Sequence, residues 1–150
     1  EAIELTLLGS RPGSQIDRKL GSNLPKLLID PVQIQQVVVN LVRNALEAVK
    51  TCDRQVVTVS TRVSDGGVIM VVEDSGPGIK PEALEQLFKP FSSSKSRGLG
   101  LGLAISRTIA QTHGGDLTVD PGGGGRGASF KLTLPLPQEH ELADLMDGTE

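Results

Sequence analysis

The sequence predicts an α/β protein built as a two-layer sandwich, in which three helices cover one face of a mixed, mostly antiparallel sheet. Apolar residues recur at helical spacing in residues 31–49 and 101–112, and short strand-like runs lie before, between and after these segments. Two of the runs are joined by S-D-G-G at residues 64–67, and Asp-Gly is typical of a tight hairpin. We therefore expect these two strands to pair antiparallel.

Each element has its own local pattern. Asp30 followed by Pro31 is a typical N-cap and first helical residue, so a helix should begin there and continue through the β-branched run 37–39. Strands are expected at residues 3–8, 16–20, 55–63, 68–73, 116–119 and 128–135, a short helix at 81–87, a mobile loop at 89–99, and a helix at 101–112 that ends at His113-Gly114-Gly115. The domain should span residues 1–137, and residues 138–150 should form a flexible acidic tail.

Composition limits the function. The 150 residues suit one domain, and a formal net charge of −3, with no compensating basic run, argues against a nucleic-acid partner. Three Phe and no Trp or Tyr leave an aliphatic core and no aromatic platform for bases. A single Cys52 excludes an internal disulfide, and no apolar stretch approaches the length of a bilayer span. We expect a soluble domain with no direct membrane contact.

Asn40, Asn44 and Glu47 fall on one stripe of the helix over residues 31–49. Asparagine is unfavourable inside a helix, so two asparagines one turn apart need an explanation. Either both face solvent, or both amides coordinate a ligand.

Residues 74–102 open with D-S-G-P-G and close with G-L-G-L-G-L. Asp74 ends a strand-like run, where its carboxylate could accept a hydrogen bond from an exocyclic amine, although D-S-G-P is also ordinary turn chemistry. The start of the following helix offers free N–H groups that suit phosphate. The spacing excludes two well-known glycine motifs, because no G-K-[ST] follows the glycines and Leu103 and Ile105 stand where a Rossmann fingerprint needs its third glycine.

Taken together and in this order, these motifs resemble the catalytic ATP-binding domain of sensor histidine kinases, in the gyrase, histidine-kinase and MutL ATPase superfamily. The resemblance covers about residues 30–135. N-L-V-R-N-A-L-E-A is similar to the N box, D-S-G-P-G to the first glycine box, F-K-P-F to the F box, G-L-G-L-G-L to the second glycine box, and G-G-R-G-A-S-F to a final glycine box. The family's fold is the Bergerat-type ATP-binding fold. Details such as S-R-T-I-A-Q-T-H-G-G are similar to kinases of the nitrogen-regulation or oxygen-sensing type.

The resemblance implies ATP and Mg²⁺ as cofactors and assigns roles to residues of this chain. Asn44 matches the family's magnesium ligand, with Asn40 as its helper, and Asp74 matches the acceptor of the adenine amino group. Lys95 resembles a lid lysine that meets the terminal phosphates, with a solvated surface lysine as the alternative. Catalytic roles would thus belong to Asn44 and Lys95. The implied nucleotide-binding set is Asn40, Asn44, Asp74, Gly76, Gly78, Ile79, Phe88, Lys95, Gly98, Gly100, Leu101, Gly102 and Leu103.

Three departures from the family pattern stand out. Glu47 occupies a position where many members carry lysine, so it receives no catalytic role. Leu99 stands where threonine or methionine is common, which a backbone-mediated phosphate site should tolerate. Neither His113, beside two glycines at a helix end, nor His140, in the tail, fits the family's phosphate-accepting histidine.

The resemblance therefore implies a protein-histidine kinase domain that passes the γ-phosphate of ATP to a histidine on an upstream dimerisation helix absent from this chain. The phosphate would then reach a response-regulator aspartate. The resemblance implies a cytoplasmic location for the domain and a homodimeric parent protein. A membrane anchor elsewhere in the parent protein is compatible with this location. Two alternatives stay open: an ATPase or serine kinase of the same superfamily, and a module that binds nucleotide only to regulate docking.

Overall fold

A computed structural model describes residues 15–20, 29–64, 66–89 and 99–136 of the chain. The elements are β1 (Gln15–Lys19), α1 (Pro31–Val49), β2 (Val56–Ser64), β3 (Gly67–Asp74), α2 (Pro81–Gln86), α3 (Leu99–Thr112), β4 (Asp116–Asp120) and β5 (Ser129–Pro135). The expected strand at residues 3–8, most of the loop at 89–99 and the tail at 138–150 lie outside the described residues.

The strands form one sheet in the order β1-β2-β3-β5-β4. β1 runs parallel to β2, and every other neighbouring pair is antiparallel. The hairpin predicted from S-D-G-G joins β2 to β3, with Ser64 opposite Gly67. The prediction of a mixed, mostly antiparallel sheet with helices on it is confirmed.

Helix α1 begins where the sequence predicts, because Asp30 Oδ1 accepts hydrogen bonds from the backbone N–H groups of Val32 and Gln33 at 3.0 and 3.2 Å. The β-branched run does not interrupt it, and Val37 is fully buried. Tertiary packing here outweighs local strand propensity, since full burial of one valine or leucine contributes about 1.5–3 kcal/mol.

The core lies between the long helices α1 and α3 and one face of the sheet. Its fully buried side chains include Val37, Leu41, Val42 and Val49 from α1, Val57, Val59 and Val72 from β2 and β3, Ala110 from α3, and Leu117, Phe130 and Leu132 from β4 and β5. The short helix α2 contributes no buried residue. Aliphatic packing therefore dominates, as the composition predicts.

Helix α3 begins at Leu99, two residues earlier than predicted. Gly100 consequently lies within its first turn rather than before it, and Gly102 lies in the same turn. The N–H groups of a first turn have no partner inside the helix, and residues without side chains leave them accessible. The second glycine cluster is thus part of the helix start itself.

Candidate functional site

Asp74 is the last residue of β3, and its carboxylate is oriented by backbone donors on both sides. Asp74 Oδ1 accepts hydrogen bonds from Gly76 N–H at 2.9 Å and from Ala128 N–H at 3.3 Å. Burial raises the pKa of the Asp74 carboxyl above its ordinary value, and these two hydrogen bonds offset part of the rise. The side chain is a half-buried acceptor in a fixed direction.

The turn after Asp74 is fastened to the chain that follows helix α1. Ser75 Oγ accepts a hydrogen bond from Val56 N–H at 2.9 Å and donates one to the Arg54 carbonyl at 2.7 Å. A Cβ on Gly76 would lie 3.0 Å from the carbonyl oxygen of Ala48, so the turn packs closely on the last part of α1. This packing brings the Asp74 turn against the helix that carries both asparagines.

The same turn packs against the glycine-rich loop at residues 121–127. Ile79 N–H donates to the Pro121 carbonyl at 2.9 Å. Gly78 has a φ of +85°, and a Cβ there would lie 2.7 Å from the oxygen of Pro121. A Cβ on Gly127 would lie 1.9 Å from the backbone carbonyl oxygen of Asp74. Glycine is therefore required on both sides of this contact.

Helices α1 and α3 meet through a polar contact at Asn40. Asn40 Nδ2 donates a hydrogen bond to Ser106 Oγ at 3.2 Å, and a Cβ on Gly102 would lie 3.5 Å from the same nitrogen. The half-buried Asn44 lies one turn further along α1. Glu47, from which the sequence withholds a catalytic role, forms an ion pair with Lys50.

Phe88 follows α2 and packs against the hydrophobic core. The guanidinium carbon of Arg107 lies 4.8 Å from the centroid of its ring, in the range of a cation–π contact. Arg107 Nε is also 3.4 Å from Asp116 Oδ1. Phe88 therefore anchors the described end of the F box to helix α3.

The structure places most of the predicted site residues on three pieces: helix α1, the turn after β3 and the start of α3. The loop at 121–127, which carries none of them, packs against the turn after β3. Leu103 differs from the others because it is buried in the core. The backbone of Gly100 and Leu101 belongs to the first turn of α3. Lys95 and Gly98 lie outside the described residues.

Sequence reasoning missed three contributors to this arrangement. Ser75 lies within D-S-G-P-G, where its turn chemistry was recognised but its bonds to the chain after α1 were not. Ala128 contributes through its backbone N–H and carbonyl, which no side-chain pattern can reveal. Ser106 could have been found, because a serine at a core-facing position of an apolar helix needs a hydrogen-bond partner.

This arrangement places complementary chemical groups around one region. A carboxylate acceptor suits an amino group on a heterocycle, two carboxamides on α1 supply neutral oxygen atoms, and the first turn of α3 supplies backbone N–H donors. Together they suit a ligand that has an amine-bearing base at one end and phosphates at the other.

The sequence comparison agrees with this chemistry. Residues 29–138 match the family model described as histidine kinase-, DNA gyrase B- and HSP90-like ATPase. Because the match covers more than half of the chain, the chain belongs to this ATPase family, and it is an ATP-binding catalytic domain of the sensor histidine kinase type.

Individual relatives support the same assignment. Sensor protein FixL of Bradyrhizobium diazoefficiens is 39% identical over 142 residues, which cover 93% of this chain and 28% of that protein. The structure of the mycobacterial sensor histidine kinase MprB is 27% identical with a TM-score of 0.74, covering 91% of this chain and 93% of that one. Full-length ShkA in complex with AMPPNP is 31% identical with a TM-score of 0.70, covering 91% of this chain and 30% of that one. The chain thus spans less than a third of the length of FixL.

Within the described residues, no helix is both long and apolar enough to cross a bilayer.

Proposed function

We propose that this domain binds Mg-ATP and transfers the γ-phosphate to a histidine on a dimerisation helix of its parent protein, for relay to a response-regulator aspartate. The observation that carries the nucleotide assignment is the Asp74 carboxylate, which Gly76 and Ala128 hold through one oxygen. Because Oδ1 is held in place, the position of the second carboxylate oxygen is set as well. An adenine amino group would therefore meet an acceptor of fixed geometry. The parent would be a cytoplasmic homodimer or a membrane-anchored protein with this domain in the cytoplasm.

The remaining residues divide between base and phosphates. Gly76, Gly78 and Ile79 would line the adenine side, because their turn carries Asp74 and packs closely on its neighbours. Gly98, Gly100, Leu101, Gly102 and Leu103 would supply the phosphate side through the backbone at the start of α3, and Lys95 would add a positive charge there. Phe88 would hold the start of the F box against α3.

Magnesium fits the donor set of α1. Among the described residues, no three His, Cys, Asp or Glu side chains converge on a metal position. A metal at this site would take a carboxamide oxygen from Asn44, with phosphate and water oxygens completing the hard, all-oxygen shell that Mg²⁺ prefers. When bound, it would neutralise charge on the phosphates during transfer. The chain's own contribution is to hold the base, the phosphates and Asn44 in register.

Titration calorimetry with Mg-ATP tests this proposal. Asn44→Ala should weaken binding about tenfold or more, because a ligand to a charged centre is lost and water replaces it only in part. Gln36→Ala is the matched control, since it removes an exposed carboxamide from the same helix and should leave the affinity unchanged. Equal affinities for the parent chain and Asn44→Ala would remove Asn44 from the site. Absence of Mg-ATP binding by the parent chain would refute the proposed function.

A further inference from the structure

Ser106 carries a buried hydroxyl in the helix that begins the phosphate side of the site. It is fully buried, and among the described residues no other polar side chain is buried from solvent. Burying a hydroxyl without a partner is costly, so its partner matters. That partner is Asn40 Nδ2, at 3.2 Å.

The contact involves one particular end of the Asn40 carboxamide, and the two ends of a carboxamide have opposite hydrogen-bonding roles. Nδ2 can only donate and Oδ1 can only accept. In the structure Nδ2 donates to Ser106 Oγ, so this is the end of the amide that faces the serine. Asn40 Oδ1 accepts no hydrogen bond from the described residues. In this arrangement Oδ1 is the end of Asn40 that is available to a ligand.

The position of Asn40 makes this orientation relevant to the nucleotide. A Cβ on Gly102, one helical turn before Ser106, would lie 3.5 and 3.8 Å from Nδ2 and Oδ1 of Asn40. The amide thus lies beside the first turn of α3, and Asn44 lies one turn along α1 on the same stripe. Oxygen is the atom that Mg²⁺ or its bound water requires from an amide.

We propose that Ser106 is a positioning residue for Mg-ATP, which acts by holding the Asn40 amide with its oxygen directed to the metal's hydration shell. This inference rests on the proposed function. Removing the hydroxyl should allow the amide to turn and present N–H groups instead. Ser106 itself touches neither metal nor nucleotide, so its whole effect should pass through Asn40.

A double-mutant cycle measures this dependence by calorimetry on the full 150-residue chain, with ATP in the presence of Mg²⁺ and again in the presence of a chelator. Ser106→Ala should weaken Mg-ATP binding about three- to tenfold, the loss expected when one neutral hydrogen bond no longer orients a ligand. In the Asn40→Ala background, the same substitution should have no further effect. Metal-free ATP binding should change little with Ser106→Ala.

Thr108→Ala is the matched control, because it removes an exposed hydroxyl of the same helix that donates to the Ala104 carbonyl. It should leave every affinity unchanged. A Ser106→Ala chain that binds Mg-ATP like the parent would overturn the proposal, and so would losses that add independently of Asn40. A loss equal with and without Mg²⁺ would show general damage to the helix contact and would also overturn it. If the parent chain binds no Mg-ATP, the proposed function fails first.

Discussion

Asp74 shows how one residue can serve binding at the expense of stability. Its carboxyl is half-buried, and burial raises its pKa despite two backbone donors. A group whose folded-state pKa is raised stabilises the fold fully only below its unfolded value of 3.8, and that contribution is lost as pH rises through the folded pKa. At neutral pH the charged Asp74 carboxylate therefore lowers the free energy of unfolding.

Asp74→Asn separates the two effects. The amide keeps an oxygen for Gly76 and Ala128 but is neutral at every pH, so the variant should melt no lower than the parent near pH 7. Any gain in stability should shrink as pH falls towards about 4. The variant should also lose its preference for ATP over GTP. The substituted amide can place an N–H donor where the carboxylate oxygen would accept from the adenine amino group.

Melting curves across pH and competition with GTP check both parts of this prediction. Glu73→Gln is the matched control, because it neutralises an exposed carboxylate on the same strand and should leave ATP preference unchanged. An unchanged ATP-to-GTP ratio in Asp74→Asn would contradict the role of Asp74 in reading the base.

His113 illustrates what a single residue's sequence context can and cannot reveal. The two following glycines identify a helix end, and the ring does bond to it: His113 Nδ1 lies 2.8 Å from the Ile109 carbonyl. The sequence could not show that Nε2 accepts a hydrogen bond at 3.0 Å from the backbone N–H of Asp30, because the two residues are 83 positions apart. His113 thereby ties the end of α3 to the start of α1.

This pair of bonds predicts the tautomer of His113. Since Nε2 accepts from an N–H group, the neutral ring should carry its proton on Nδ1, where the carbonyl can receive it. Nitrogen NMR of the ring, in a His140→Gln chain that leaves one histidine, should show a protonated Nδ1 and an unprotonated Nε2. The opposite tautomer would mean that the bond to Asp30 does not form in solution.

Among the elements, those with strong local patterns were predictable from sequence. Helix α1 has a cap and a clear apolar stripe, and the β2–β3 hairpin has its Asp-Gly turn. The start of α3 was less predictable, because glycines are poor helix formers and the sequence alone does not show that Gly102 is packed beside Asn40. The packing of the loop at 121–127 against Asp74 depends on backbone atoms.

Gly127→Ala tests whether that loop is part of the site. The new Cβ would lie 1.9 Å from the Asp74 carbonyl oxygen and 2.4 Å from its Oδ1, so either the loop or the Asp74 turn must shift. We expect a loss of about 1–3 kcal/mol in the free energy of unfolding and a weaker affinity for ATP. Denaturant unfolding and calorimetry measure the two effects.

Gly66→Ala provides the matched control, because no atom lies within 4 Å of its added Cβ. It should leave ATP affinity unchanged. A Gly127→Ala chain with the parent's stability and affinity would show that the loop does not hold Asp74.

For the whole molecule, sequence motifs predicted which pieces form the site, and the sheet explains how they meet. Asp74 ends β3 and Ala128 directly precedes the neighbouring strand β5, and the register of these strands places Glu73 opposite Ser129. No pattern within either segment encodes that register, because it depends on which strands pair. The same holds for Asn40 and Ser106, 66 positions apart on two packed helices.

The separation of nucleotide binding from phosphate acceptance gives the last prediction. An acceptor histidine needs a ring nitrogen that is free to attack the γ-phosphate, and both ring nitrogens of His113 are engaged by backbone groups. His140 lies outside the described residues, and although Glu141 follows it, no proline follows at the distance found in the family's acceptor. The chain incubated alone with labelled ATP and Mg²⁺ should therefore bind nucleotide without gaining acid-labile phosphate, yet label the parent's dimerisation domain when that is supplied. An Asn44→Ala chain should fail in this transfer, which controls for contaminating kinases. Acid-labile label mapped to His113 or His140 of the isolated chain would show that the acceptor lies within this domain after all.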